Sequence, residues 1–250
     1  MKKSDESAYM NNYTDIHSHI LSGVDDGPSN EEKMKNMLRA AYKDGTRKLC
    51  FTPHYHPAIY GKNEKRSEAV FESLKAYAKE EFPDMELFLG NEMRYDVGYL
   101  NWMKENQCRT LNGTKHLLID FSEFESATVI IKALESLLAS GYIPVLAHVE
   151  RYRKLDYNMG QVIDLAERGV IMQVDAQSVF GGWGFSSKVR SRKLIKMRLA
   201  DVIASDAHNL EDRPPYLTKC YEYVVKKCGE RYADAIFVKN PTAILENKKQ

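Results

Sequence analysis

His17 and His19 stand two residues apart in YTDIHSH, a run that reads as extended chain, so both imidazoles point to the same side. Two ligands of one metal ion need that arrangement. Asp15 shares their parity and is expected to orient one of the imidazoles as an acceptor. Further along, His54 and His56 (TPHYH), Glu92 (GNE), Asp120 and Glu123 (IDFSE), His148, Glu150 and Arg151 (AHVER), Asp175 (VDA), and Asp206 and His208 (SDAH) each close an apolar run. Six of the seven histidines fall in such places; His116 opens a run and is read as structural. Four or more carboxylates crowded together repel one another or force protonation, and bound cations remove that cost. Imidazole nitrogen with carboxylate oxygen and no thiolate suits Mn²⁺, Fe²⁺, Zn²⁺ or Mg²⁺ without choosing among them. The competing reading is a polar rim whose side chains only satisfy one another.

Such residues meet only if something gathers the run ends. Seven β-type runs (YTDIHSH, KLCFTPHYH, MELFLGNE, HLLIDFSE, IPVLAHVE, GVIMQVDA, DVIASDAH) alternate with amphipathic stretches, which predicts an α/β fold with a largely parallel sheet. In a parallel barrel the strand C-termini share one rim, so all these polar ends converge there. The first helix is expected to start at an Ser29 N-cap with Glu32 completing a capping box, to bury Met34, Met37, Leu38, Ala41 and Tyr42, and to stop at Gly45. A second runs from Thr128 to Gly141, and others are expected over Glu64 to Glu81, Gln161 to Arg168, Lys188 to Leu199 and Pro215 to Lys227. Between Gln177 and Lys188 the Gly-rich, aromatic QSVFGGWGFSSK reads as a loop or lid; it lacks the spacing of a phosphate-cradling loop.

The chain has 250 residues, a formal net charge of +1, 43% hydrophobic residues and 28% charged. That length suits one domain, residues 1–250, with residues 1–13 expected as a flexible N-terminus. Near-neutral charge argues against a nucleic-acid partner held by a basic face. The N-terminal stretch has no apolar segment behind its lysines and no run reaches membrane-spanning length, so a cytoplasmic protein without membrane insertion is expected. The four cysteines form no CxxC pair. A cysteine-dependent tyrosine phosphatase needs Arg six residues after its thiolate, and those positions are His56, Thr114, Lys226 and Asp234.

DIHSHILSGVDDGPSN, TPHYH, GNEMRY, LLIDF, LAHVERY and ASDAHNLEDRPPY, in that order, resemble the polymerase and histidinol phosphatase (PHP) superfamily. More closely they resemble its bacterial manganese-dependent protein-tyrosine phosphatases of the capsular and exopolysaccharide type. The resemblance runs from about Asp15 to the NPTAIL near the C-terminus. It implies a distorted (β/α)7 TIM-like barrel with a three-metal cluster, Mn²⁺ first among the metals named above. By the same resemblance, His17, His19 and Asp206 would hold one metal, with Glu92 bridging to a second held by Asp120 and His148. Asp26, His54 and His208 would hold the third. Asp120 stands where some relatives have Glu. Arg151 and Arg213 match the arginines expected to grip phosphate, and their planar forks suit it. His56 matches no ligand position and is left as a candidate substrate contact.

Three divalent cations outweigh the charge of Asp26, Glu92, Asp120 and Asp206, which favours a bridging hydroxide and an anionic substrate. The reaction implied is in-line attack of metal-bound hydroxide on phosphorus, with no covalent phospho-enzyme. The implied substrate is phosphotyrosine on the Tyr-rich tail of a bacterial tyrosine kinase controlling polysaccharide export; homo-oligomerisation is left open. Two alternatives stand beside it: a phosphoesterase acting on a small monoester such as histidinol phosphate, and a metal-dependent module that binds phosphoprotein without turnover. An amidohydrolase is disfavoured, because the fourth and sixth runs offer Asp120 and Asp175 where its barrel has Lys and His. Trp183 and Phe185 in the Gly-rich stretch, and Tyr55 and Tyr60, are candidates to flank a protein-sized substrate.

Overall fold

A computed structural model describes residues 12–60, 63–105, 107–155 and 159–246. Its strands are β1 (Tyr13–Asp15), β2 (Thr46–Phe51), β3 (His54–Tyr55), β4 (Glu86–Leu89), β5 (Glu92–Arg94), β6 (His116–Asp120), β7 (Ile143–Leu146), β8 (Ile171–Asp175) and β9 (Val202–Ala204). All pairings are parallel, in the orders β1-β2-β4 and β3-β5-β6-β7-β8-β9. The second and third sequence runs are therefore each broken in two, at Thr52–Pro53 and at Gly90–Asn91. Proline cannot donate to a ladder, and the Asn91 side chain donates to the Pro53 carbonyl (3.0 Å), filling the gap the break leaves. The two sheets join into one distorted barrel through the segment after β1. Thr52 N–H donates to Ser18 O (2.8 Å), Asp206 N–H to His17 O (2.9 Å) and His19 N–H to Ala207 O (2.8 Å). That seam also brings the HxH pair against the Asp206–His208 segment.

A helix follows each run: α1 (Glu31–Asp44), α2 (Glu64–Glu81), α3 (Tyr99–Lys104), α4 (Ala127–Ala139), α5 (Gly160–Glu167), α6 (Gly184–Lys196) and α7 (Thr218–Cys228). Among the described residues no helix is long and apolar enough to cross a membrane. The N-cap of α1 is Asn30, not Ser29: its side chain accepts the Lys33 N–H at 2.9 Å, and Glu32 falls one position short of a capping box. Gly45 ends α1 in the left-handed region at φ 107°, as expected. The Gly-rich stretch is not a free lid. Its first half is a tight turn in which the Gly181 and Gly182 N–H groups both donate to Gln177 O (3.1 Å each), and from Gly184 it is already α6. Residues 1–11 of the expected flexible N-terminus lie outside the described residues; Tyr13 is buried in β1 against Tyr221 and Phe237.

Period-two alternation sorts the strand side chains. Leu117 and Ile119 of β6 pack outward under the helices, whereas Leu118 joins Val145, Val202 and Ala204 in the barrel interior. Leu111, Ile244 and Leu245 close that apolar plug, the last two from the helix α8 (Asn240–Glu246). Truncating Leu118 to Ala costs roughly 2–5 kcal/mol by removing packed interior volume. The parity that buries Leu118 carries Asp120 to the other end of the same face, so one alternation builds both the plug and the site above it.

Candidate metal centre

Each inward-facing imidazole of the seam has one nitrogen fixed by a partner behind it. His17 Nδ1 donates to Gln173 Oε1 (2.9 Å), His19 Nδ1 to Asp25 Oδ2 (2.7 Å) and His208 Nδ1 to Asp206 O (2.9 Å). With Nδ1 engaged behind, the three Nε2 atoms are aimed into the site, the arrangement of metal-ligating histidine. Gln173 Oε1 also accepts the His148 N–H at 3.0 Å, which positions a fourth imidazole.

Glu92 sits where these nitrogens converge. Its Oε1 lies 3.2 Å from His17 Nε2 and 3.1 Å from His148 Nε2; its Oε2 lies 3.3 Å from His19 Nε2 and 2.8 Å from His54 Nδ1. Asp206 Oδ1 is 3.3 Å from His17 Nε2 and 3.5 Å from His19 Nε2. His148 Nε2 is 3.7 Å from Asp120 Oδ1, while Asp26 Oδ1 is 3.2 Å from His208 Nε2 and 3.5 Å from His54 Nε2. Ligand atoms thus fall into three groups: His17, His19 and Glu92; Glu92, Asp120 and His148; and His19, Asp26, His54 and His208. All but Asp26 and His54 are buried. Glu92 Oε2 and His208 Nε2 are enclosed yet make no aligned hydrogen bond, despite the short distances. Each belongs to a group of candidate ligand atoms, and enclosed acceptors left without a hydrogen bond fit cations.

The electrostatics agree. Burial alone raises Glu92, and the positive charge of neighbouring imidazole, His17 first, reverses that and holds it well below the usual carboxylate range, a charge that a bound cation would supply in place of protons. Burial and then His19 push His208 down to about 4, leaving it a neutral imidazole. Two ligand-bearing backbones are left-handed without being glycine, His148 at φ 33° and Asp206 at φ 50°, a strain that the surrounding structure sustains at this site.

A cleft of about 450 Å³ opens over Glu92, Asp120, His148 and Asp206. Arg151 and Arg213 stand at its side, each with a guanidinium nitrogen on Asp206 Oδ2, at 2.7 and 2.9 Å, and Arg151 also pairs with Asp175. Tyr60 stacks on His54 with ring centroids 4.8 Å apart. All eleven residues named by the resemblance are gathered here. The other expectations divide. Glu123 lines the rim and Glu150 is buried behind Arg151, its Oε1 accepting the Asp175 N–H. Asp15 does not orient an imidazole; it accepts the backbone N–H of His17 (3.3 Å) and of Ser205 (3.1 Å), a layer below. His56 pairs with Asp96 at 3.1 Å beside Trp102, and Tyr55 is buried in the core; neither lines the cleft. Phe185 is 81% exposed and also lies off it. His116 bonds Thr114 at the far end of β6, as its position suggested.

Sequence reasoning missed Asp25, Gln173 and Arg94. Asp25 holds His19, accepts the His54 N–H at 3.0 Å and caps its own turn at Gly27 N–H. That turn needs glycine, because a Cβ on Gly27 would lie 1.9 Å from the His19 carbonyl oxygen. Arg94 lines the cleft and pairs with Asp120.

A parallel barrel with imidazoles and carboxylates gathered at the C-terminal ends of its strands is a TIM-like barrel with its candidate site at the rim where such barrels carry theirs. The lactonase Lmo2620 of Listeria monocytogenes, 13% identical, superposes with a TM-score of 0.64 over 96% of both chains, a likeness of fold alone. The profile of the family described as capsular polysaccharide synthesis, CpsB/CapC, matches residues 13–246, and the chain belongs to that family. It is 35% identical over 236 residues to the tyrosine-protein phosphatase CpsB of Streptococcus pneumoniae, covering 92% of this chain and 97% of that one. It is 32% identical to the tyrosine-protein phosphatase YwqE of Bacillus subtilis, over 94% of this chain and 92% of that one. A solved structure reported for YwqE and the pneumococcal CpsB, described as unique metal-dependent tyrosine phosphatases, superposes with a TM-score of 0.84 at 31% identity, covering 94% and 95% of the two chains.

Proposed function

We propose that this chain is a metal-dependent protein-tyrosine phosphatase whose substrate is phosphotyrosine on a bacterial tyrosine kinase controlling capsule or exopolysaccharide synthesis. The observation that carries the reading is the position of Glu92, shared by two of the three groups of ligand atoms, 2.8 Å from His54 of the third, and lining the arginine-walled cleft. The substrate class is supported by the relatives, CpsB and YwqE being tyrosine-protein phosphatases. We place it in the cytoplasm as one domain, residues 1–250.

His17, His19, Asp206 and Glu92 would hold one metal, Glu92, Asp120 and His148 a second, and Asp26, His54 and His208 a third, with His19 within reach of the last group. Manganese is the metal proposed; iron, zinc and magnesium accept the same donors. Bound there, the metals supply Lewis acidity and a water of lowered pKa at neutral pH. The chain's own part is positioning. Gln173, Asp25 and the Asp206 carbonyl hold the imidazoles in place. Arg151 and Arg213 present two guanidinium forks to the phosphoryl oxygens as charge shifts between them. No cysteine takes part: Cys50, Cys108 and Cys220 are buried, and none of the four lines the cleft.

Turnover of a phosphotyrosine peptide against histidinol phosphate by the manganese-loaded protein tests the substrate class. The expected result is a kcat/KM at least tenfold higher for the peptide, about 1.4 kcal/mol in transition-state binding. Preference for histidinol phosphate would overturn the reading, and tight peptide binding without phosphate release would replace it with a binding module.

A further inference from the structure

We infer that Phe124 and Trp183 form an aromatic clamp that selects aryl over alkyl phosphate esters; the inference rests on the phosphatase reading above. Both residues line the cleft that holds Arg151 and Arg213, Phe124 on the segment after β6 and Trp183 on the turn before α6. They are large apolar side chains, 60% and 39% exposed, at the mouth of a charged site, where an aryl group could bury their open area.

Trp183 is held in place. The Arg151 guanidinium carbon lies 3.6 Å from its ring centroid and that of Arg213 lies 4.9 Å away. Its turn is fastened by the two bonds to Gln177 O and by Gly184 N–H donating to Gly181 O (3.0 Å). Gln177 Nε2 in turn donates to Pro214 O (3.2 Å), tying this turn to the segment that carries Arg213. The indole and both phosphate-facing arginines thus form one unit. Phe124 has a different cation partner, Arg153, 4.9 Å from its ring and on the outer rim with Glu123.

With its phosphoryl group gripped by Arg151 and Arg213, an ester would direct its leaving group to the mouth of the cleft, whose lining includes both aromatics. A flat aryl ring there buries apolar area on two sides and gains ring–ring contact, whereas a serine side chain is too short to reach them. Trp183 also braces the arginines, so its loss touches every substrate; Phe124 is the cleaner probe.

The test compares phosphotyrosine and phosphoserine forms of one peptide on manganese-loaded wild type, Phe124→Ala, Trp183→Ala and Trp183→Phe. The ratio of kcat/KM, tyrosine over serine, should fall fivefold or more in both alanine variants, mainly through KM for phosphotyrosine, with Trp183→Phe retaining most of it. In a Trp102→Phe background, a non-hydrolysable aryl phosphonate peptide should quench the remaining Trp183 fluorescence. A ratio that falls less than fivefold in both alanine variants while wild type remains active overturns the clamp and leaves the phosphatase reading intact. A wild type that releases phosphate from neither peptide overturns both.

Discussion

His19 Nδ1 and Asp25 Oδ2 are 2.7 Å apart, and through that contact Asp25 aims His19 Nε2 at both Glu92 and Asp206. Asp25 also accepts the backbone N–H groups of His54 (3.0 Å) and Gly27 (3.1 Å), so it fixes both the imidazole of His19 and the turn beside it. Replacing it by Ala should weaken metal affinity by roughly 10–100-fold, the usual cost of removing such a partner. Asp25→Asn keeps an acceptor and should lose less. Titration of the metal-free protein with Mn²⁺, followed calorimetrically, measures both; unchanged affinity in Asp25→Ala would show that the contact does not position His19.

Arg151 and Arg213 share one oxygen of Asp206. On the role proposed for them at transition-state charge, Arg213→Ala should lower kcat by roughly 10²–10³-fold. Metal content per chain should stay at the wild-type value. Arg213→Lys should recover little, since an ammonium cannot reproduce the fork. Phosphate release and elemental analysis on the same samples check this, and loss of metal from Arg213→Ala would place the arginine in the centre's assembly instead.

The legible and illegible parts of this site differ for physical reasons. His17, His19, His148, Asp206 and His208 stand at the ends of apolar runs, where parity and position already say which way a side chain points. VDDGP shows two adjacent carboxylates, but only the turn at Gly27 decides that Asp25 faces His19 and Asp26 faces His208 and His54. Gln173 carries no charge and lies within IMQVD; a polar residue inside an apolar, largely buried strand is its one available signal. Asp15 was misread because parity gives a direction and not a depth: it faces the backbone of His17 and Ser205 one layer below the imidazoles. The breaks in the second and third runs left no mark in hydrophobicity, only Pro53 and the Gly90–Asn91 pair.

The cysteines give a separate prediction. Burial pushes the Cys50, Cys108 and Cys220 thiols up, far from the thiolate form that a nucleophile requires. Treatment of the native protein with N-ethylmaleimide should therefore change phosphatase activity by less than about twofold. Stoichiometric inactivation would point to a thiol in the reaction.

His116, remote from the cleft, sets part of the acid limb of stability. Burial holds its pKa below the ordinary histidine value. The unfolded chain therefore takes up that proton first as pH falls, so this contribution is present above about pH 6.5 and is lost below it. Between pH 7 and pH 5 the wild-type protein should lose more stability than His116→Gln, as read from urea unfolding midpoints. Equal losses would show that His116 is not a titrating element of the fold.

Metal content and phosphate release, measured on one preparation before chelation, after chelation and after adding Mn²⁺ back, bear most directly on the proposal that Glu92 lies at the heart of a catalytic metal centre. Chelation should remove the metal and abolish release from a phosphotyrosine peptide, and Mn²⁺ should restore both. Full activity in a chain shown by elemental analysis to be metal-free would contradict it.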